Sequence, residues 1–171
     1  MSKLVVDELE PLGVKQAFSR KLTVDDQATI VTLLDIYQLE SETEDEHEAL
    51  LRTSDAFILM YNVTSPYSFQ DTVAFLREIR RATSSREPVI VLAANQIDRP
   101  AQDHEVPHQD GVALAKELGC SFTETSAKTG LEVDATVINL VRALRAKKKG
   151  EERRKKNSLG LRVWKLVSRA R

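Results

Sequence analysis

An apolar run near the middle of the chain ends in polar side chains whose types could bind a ligand. Residues 88–94 read PVIVLAA, and Asn95, Gln96 and Asp98 follow them. Near-continuous apolar runs of this kind are typical of buried parallel strands. Ligands of open α/β sheets bind beyond the carboxyl ends of such strands, so we expect the chemistry of this protein at Asn95 to Asp98. The alternative is that these residues only form a polar turn.

The chain as a whole alternates strands with helices. Short apolar segments predict strands at residues 56–61, 89–93 and 120–124, and Asp25-Asp26 predicts a hairpin turn between strands at 17–24 and 27–36. Apolar spacing predicts helices that begin at Ser65-Pro66, span about 112–118 and run from about Glu132 to Lys149. This order predicts an α/β three-layer sandwich with one antiparallel edge strand.

Two motifs resemble those of a known family. Asn95-Gln96-Ile97-Asp98 resembles the guanine-recognition motif Asn-Lys-x-Asp of small GTPases, and Glu124-Thr125-Ser126-Ala127-Lys128 matches the second base-contacting motif of the Ras family. The likeness extends through residues 56–61 and 63–65 and covers about residues 17–149. The chain is therefore similar to a Ras-type small GTPase. This resemblance implies a mixed, mostly parallel sheet with an antiparallel edge strand, and a role in signal transduction.

The resemblance also implies a role for each residue of a guanine site. Asp98 would accept hydrogen bonds from the N1–H and 2-amino groups of guanine, which adenine does not offer in that arrangement. Asn95 would pair with the purine and hold the neighbouring loops. The backbone N–H of Ala127, next to Ser126, would donate to the guanine O6, and the stem of Lys128 would cover the ring.

The phosphate half of such a site departs from the family pattern. Gln96 stands where the family has a lysine that stacks on the base and reaches the phosphate loop. The loop string G-x-x-x-x-G-K-[ST], which cradles phosphates, does not occur in the sequence. Residues 3–6 begin like the family's first strand, but three carboxylates follow within residues 7–10 and would repel phosphates. Only sixteen residues precede Ala17, so we predict a Ras-like sheet without its phosphate loop and first helix.

The second switch is also altered, and we assign no catalytic residue. The family's Asp-Thr-Ala-Gly-Gln reads Asp35-Ile36-Tyr37-Gln38-Leu39, which places Leu39 at the water-positioning glutamine. A displaced catalytic role for Gln38 is the alternative to a plain loop position. Asp35 keeps the place of the residue that supports Mg²⁺, and we interpret it as vestigial. We therefore expect weak binding of GTP or GDP and no Mg²⁺ site. Residues 40–48 contain six acidic side chains and predict a solvated, mobile face, with metal or basic-partner binding as the alternative.

Charge is unevenly distributed along the chain. Residues 147–171 carry eleven Lys or Arg and two Glu, whereas the rest of the chain holds 14 basic and 24 acidic side chains. On a helical wheel of residues 159–170, an apolar face opposes a basic one. Such segments bind anionic membranes or calmodulin-like grooves, and a disordered basic tail or a nuclear-import signal is the alternative. We expect the contacts to come from Arg162, Trp164, Lys165, Leu166 and Arg169.

Compartment and organisation are predicted from the same features. Cys120 is the single cysteine, which suits a reducing compartment, and neither a signal peptide nor an apolar run of ~20 residues is found. We predict a cytoplasmic protein, attached peripherally to the inner face of the plasma membrane, with no nucleic-acid partner. We divide the chain into a Ras-like G domain at residues 1–149, with an abbreviated N-terminal part, and a basic amphipathic tail at 150–171.

The functional prediction is a Ras-like signalling protein that keeps its guanine-recognition motifs but hydrolyses GTP weakly or not at all. The alternative is a pseudo-GTPase, an adaptor at the membrane that docks effector or regulator proteins along its edge strand near Phe18-Ser19-Arg20. A third interpretation is a truncated product of a gene whose full-length protein carries the phosphate loop.

Overall fold

Five strands and four helices make up the part of the chain that the structure describes. This computed structural model describes residues 17–35, 44–84 and 86–168. The elements are, in chain order, β1 (Ala17–Val24), β2 (Gln27–Leu34), α1 (Glu44–Thr53), β3 (Ala56–Asn62), α2 (Pro66–Ala82), β4 (Val89–Asn95), α3 (His108–Leu118), β5 (Ser121–Glu124) and α4 (Val133–Ser168). A short 3-10 turn at Ala101–Asp103 lies between β4 and α3. The predicted α/β class is confirmed.

The hairpin forms where the sequence predicts it. Strands β1 and β2 pair antiparallel, from Ala17 opposite Leu34 to Val24 opposite Gln27. Asp25 and Asp26 both have positive φ, 50° and 59°, as a two-residue turn between twisted strands requires. Aspartate tolerates this left-handed conformation better than most residues, and so the Asp-Asp pair can close the hairpin.

A parallel sheet of order β3-β4-β5 carries the polar strand ends. Ala56 pairs with Val89 and Asn62 with Asn95, while Ala94 pairs with Glu124. All three strands therefore end at the same edge of the sheet. Within the described residues the hairpin is a separate two-stranded sheet. Residues 3–6, predicted as the family's first strand, lie outside the described residues.

Alternation along the strands separates two faces of the parallel sheet. On one face Phe57, Leu59 and Tyr61 of β3 are buried in a cluster that includes residues from α1, α2 and α3. Helix α4 packs on β4 and buries Leu140 and Val141 outside that cluster. The described chain is thus a three-layer arrangement, with α4 opposite the other helices.

Two arginine side chains of the long helix α4 bind the hairpin. Arg145 donates to the carbonyl oxygen of Val24 at 2.7 Å and to the hydroxyl of Thr29. Arg142 pairs with Asp25 at 2.7 Å, an exposed contact that lowers the pKa of the Asp25 carboxyl mainly through their hydrogen bond. These contacts attach the two-stranded sheet to the helix that packs on the three-stranded one.

Helix α4 extends beyond the end that apolar spacing predicts. It continues past Lys149 to Ser168, because residues 151–156 are charged helix formers and Gly150 and Gly160 each cost only ~1 kcal/mol. The helix crosses the proposed domain boundary at 149/150, which stays a prediction. In the described residues, no helix has the length and apolar character that crossing a membrane requires.

Part of the acidic run is a helix that is anchored to the core. Helix α1 begins at Glu44 and buries Leu50 and Leu51, which anchors the segment to the core. Burial of one such leucine contributes ~1.5–3 kcal/mol, enough to order a helix whose other side is acidic. The run is therefore helical from Glu44 onward, with Asp45 exposed, and its mobility stays a prediction; residues 36–43 lie outside the description.

Gly111 lets α3 approach the sheet closely. A Cβ at this position would overlap the Tyr61 hydroxyl and lie 2.6 Å from Cε2 of Phe122. Tyr61 is 1 % exposed and cannot move aside. Burial, together with Glu124 and Asp110, raises the pKa of Tyr61 to about 12, so the hydroxyl is neutral in the folded protein.

We expect Gly111→Ala to destabilise the protein by ~1–3 kcal/mol, because the added methyl overpacks a buried contact. Gly150→Ala is the matched control, since nothing lies within 4 Å of its Cβ position, and it should stabilise α4 by ~0.5–1 kcal/mol. Urea unfolding followed by circular dichroism measures both. Equal effects of the two substitutions would contradict this account of the α3 contact.

Candidate functional site

Three loops meet at the carboxyl edge of the parallel sheet. They follow β3 at Val63 and Thr64, β4 at Gln96 to Asp98, and β5 at Thr125 to Lys128. The parallel register is the reason, since it ends β3 and β4 on the paired residues Asn62 and Asn95. Residues far apart in sequence therefore come within hydrogen-bond reach.

Backbone hydrogen bonds join the three loops. Val63 donates to the carbonyl of Asn95 at 3.0 Å, and Thr125 donates to the carbonyl of Ala94 at 2.7 Å. A weaker bond of 3.4 Å runs from Ile97 N–H to the Thr125 carbonyl. The loops are thus held before any side chain is considered.

Asn95 ties the second loop to the third. Its Oδ1 accepts a hydrogen bond from the backbone N–H of Ala127 at 3.0 Å. This is the loop-holding role expected of Asn95. The same Ala127 N–H is the group expected to donate to a guanine O6, so base binding at that atom requires Asn95 to release it.

Asp98 is held by a buried serine. Ser126, 0 % exposed, donates its hydroxyl to Asp98 Oδ1 at 2.6 Å and accepts from the Thr129 N–H at 3.1 Å. The Ser126 hydrogen bond is the main reason that the pKa of Asp98 lies below its usual value, and Lys128, 3.9 Å from Oδ2, acts in the same direction. Asp98 is therefore an ionised acceptor at neutral pH, as recognition of two guanine donors requires.

Gln96 has an unusual backbone and a side-chain partner. Its φ is 69°, in the left-handed region, where a non-glycine residue costs of order 1–3 kcal/mol and persists only when its surroundings hold it. The Thr64 hydroxyl donates to Gln96 Oε1 at 2.8 Å. Sequence reasoning missed this contact, because Thr64 lies 32 positions away and belongs to neither base-recognition motif.

The other predicted site residues lie away from this cluster or outside the description. Asp35 follows β2, in the hairpin sheet, and Gln38 and Leu39 lie outside the described residues. Among the described residues, no group of three or more His, Cys, Asp or Glu is arranged to hold a metal ion. Residues 162–166 of the tail belong to helix α4, but the structure does not describe their side chains. Arg169 lies wholly outside the described residues.

Comparison with known proteins agrees with the geometry. A sequence model of the Ras family matches residues 9–146. Ras-like protein 1 of Saccharomyces cerevisiae is 33 % identical over 140 residues, which are 82 % of this chain and 44 % of the yeast protein. A Ras-like protein of Laccaria bicolor is 31 % identical over 140 residues, 82 % of this chain and 66 % of its own length. The chain thus spans less than half of the Saccharomyces cerevisiae relative and about two thirds of the Laccaria bicolor relative.

Removal of the Ser126 hydroxyl should raise the pKa of Asp98 toward the usual 3.8, because the largest cause of its lowering is lost. The lowered pKa means that the ionised carboxylate stabilises this loop above pH 3.8 and that this contribution is lost as pH falls through the folded-state pKa. Carboxyl NMR titration of Ser126→Ala measures the shift. Asp25, whose pKa is lowered by Arg142 instead, is the internal control and should not move. An unchanged Asp98 midpoint would contradict the assignment.

Proposed function

Because this chain belongs to the Ras family, we propose that it is a signalling module that binds guanine nucleotides weakly, mainly through the base, and hydrolyses GTP slowly or not at all. Guanine-nucleotide binding and interaction with effectors and regulators are general properties of the family. The observation that carries the proposal is the assembled base-side cluster, in which Asn95 holds Ala127 and Ser126 holds Asp98.

The base-side cluster suits guanine better than adenine. The ionised Asp98 can accept from both N1–H and the 2-amino group. Its Oδ1 has a second lone pair beyond the one that accepts from Ser126, and its Oδ2 has two more. Adenine presents an acceptor at N1, which Asp98 would repel. The Ala127 N–H is free to donate to O6 once Asn95 turns toward the base.

The phosphate side explains why the proposed binding is weak. The sequence has no G-x-x-x-x-G-K-[ST] string, and Gln96 is neutral where the family has a cation. Charge-assisted hydrogen bonds to phosphate are roughly twice as strong as neutral ones, so their loss removes a large share of nucleotide affinity. Without a phosphate-neutralising lysine or a water-positioning glutamine, electrostatic stabilisation of phosphoryl transfer has no visible source.

An adaptor role, as a pseudo-GTPase, is the second candidate. Strand β1 pairs only with β2 among the described strands, so within the described residues its outer edge is available for a partner strand. Phe18 on β1 is 60 % exposed and Ile30 on β2 is 71 % exposed. A strand edge that is unpaired in the described part of the chain and is flanked by exposed apolar side chains supports docking of an effector or regulator along Phe18-Ser19-Arg20.

We expect the full chain to bind GTP and GDP with micromolar or weaker dissociation constants in the presence of Mg²⁺. Fluorescent-nucleotide titration measures this, and phosphate release in single turnover should match buffer. Asp98→Asn should lose guanine and gain xanthine nucleotides, because an amide N–H pairs with the xanthine 2-oxo group. Nanomolar GTP binding, or guanine binding insensitive to Asp98→Asn, would contradict the proposal.

We also propose that the basic tail attaches the protein reversibly to the cytoplasmic face of the plasma membrane. The distal part of α4 exposes the cations Lys148, Lys149, Arg153 and Arg154, and the helical backbone continues to Ser168. Each basic residue near an anionic surface contributes ~1 kcal/mol, and Trp164 and Leu166 would add apolar burial. Calmodulin binds helices of the same kind and could release such an anchor.

Binding to phosphatidylserine liposomes should weaken as NaCl rises, because the attraction is mainly electrostatic. Trp164→Ala should reduce binding without abolishing it, and Arg153→Gln with Arg154→Gln should reduce its salt dependence. Co-sedimentation with neutral liposomes is the control. Equal binding to both kinds of liposome, or none at low salt, would replace this proposal with the nuclear-import or disordered alternative.

A further inference from the structure

The contact between Thr64 and Gln96 links the first loop of the site to the second. Thr64 Oγ1 donates to Gln96 Oε1 at 2.8 Å, and both residues are half-buried. The family's lysine at this position reaches the phosphate loop, as the resemblance implies. Here the side chain at the same position is neutral and is tied to the loop after β3.

We propose that Thr64 positions the guanine base through Gln96 and that this brace makes the base subsite independent of any phosphate-binding segment. The ligand class that the subsite selects is then the guanine nucleoside, and phosphates add little to its affinity. This inference rests on the proposed function, since it assumes that a guanine base binds here at all.

Among the described residues, hydrogen bonds join the first loop to the second and the second to the third. The first loop holds the second through Val63 N–H and through Thr64. The second holds the third through Asn95 and Asp98. Every group in these bonds lies in residues 63–64, 95–98 or 125–127, so the three loops hold one another through their own residues.

The brace also supports the backbone of Gln96. The Arg99 N–H donates to the Gln96 carbonyl at 3.0 Å, and relaxation of this left-handed turn would change the relative orientation of Asn95 and Asp98. The Thr64 hydroxyl opposes that relaxation from a separate element. Thr64 is therefore a positioning residue, acting on the base through Gln96 and its neighbours.

The open space beside the brace does not replace a phosphate cradle. A surface cavity of about 430 Å³ adjoins Thr64 and is also lined by Arg99, Gln102, Asp103 and Glu105. Two carboxylates against one guanidinium give this cavity a net negative lining. A phosphate group placed there would be repelled.

Titration of the full chain with guanosine, GDP and GTP in Mg²⁺ tests the ligand class. We expect the three dissociation constants to agree within about threefold, because the sequence lacks the G-x-x-x-x-G-K-[ST] string and Gln96 is neutral. GTP binding tighter than guanosine by more than this would overturn the inference and leave guanine recognition intact. Guanosine binding no tighter than adenosine binding, or absent, would instead overturn the proposed function and the inference with it.

Variants of the brace test the positioning role. Thr64→Val should weaken guanosine binding by about three- to tenfold, because one neutral hydrogen bond is lost and its acceptor left unpaired, whereas Thr64→Ser keeps the hydroxyl and should restore affinity. In a Gln96→Leu background, Thr64→Val should have no further effect.

Thr32→Val is the matched control, since Thr32 makes a similar bond of 2.8 Å to Ser19 in the hairpin, and it should leave guanosine affinity unchanged. Wild-type affinity in Thr64→Val, or additive losses in the double variant, would overturn the brace. If Thr64→Val does not fold, comparison of Thr64→Ser with Gln96→Leu decides the same point. If Gln96→Leu binds guanosine as tightly as Thr64→Ser does, the brace is overturned. Weaker guanosine binding by Gln96→Leu supports the brace.

Discussion

The parallel pairing of β4 with β3 and β5 is the constraint on which the candidate site depends. A central strand with two parallel neighbours ends at the same edge as both of them, so every loop that follows a strand meets the others there. Asn62 opposite Asn95 sets the first junction, and Ala94 opposite Glu124 sets the second. A shift of one residue in either register would turn Asn95 or Ser126 away from its partner.

Hydrogen bonds between loops convert that shared edge into a specific arrangement. Asn95 accepts a hydrogen bond from the Ala127 N–H, 32 residues away in sequence. Ser126 donates its hydroxyl to one oxygen of Asp98, 28 residues away. Each contact joins two loops and contributes of order 1 kcal/mol, so the cluster is stable as a unit but open to rearrangement by a ligand. The rearrangement would concern Asn95 most, because its partner, the Ala127 N–H, is also the group proposed to donate to the guanine O6.

Charge is divided between the base-side cluster and the distal part of α4. Asp98 stays ionised through the Ser126 hydrogen bond, and Gln96 carries no charge where the family has a lysine. Basic residues are concentrated instead on the distal part of α4. Arg145 is an exception, since it is only partly exposed and bonds to the Val24 carbonyl, so its role is to attach the hairpin.

The sequence by itself determined the elements whose signals are local. Two consecutive aspartates favour the left-handed turn of the hairpin, and Ser65 before Pro66 caps α2 by accepting from Ser68 N–H at 3.3 Å. The motifs at Asn95 to Asp98 and Thr125 to Lys128 also identified the family, because the types and spacing of their residues are visible in the chain. Sequence alone placed both motifs at the ends of strands.

Only the tertiary structure decided which groups meet. The partner of Gln96 is a threonine on another strand's loop, and no periodicity or motif connects positions 64 and 96. Helix α1 forms inside an acidic run because Leu50 and Leu51 find a core contributed by other elements, which local charge cannot reveal. Hydrogen bonds and burial of this kind depend on distances that the register of β3, β4 and β5 creates, and a linear sequence does not contain those distances.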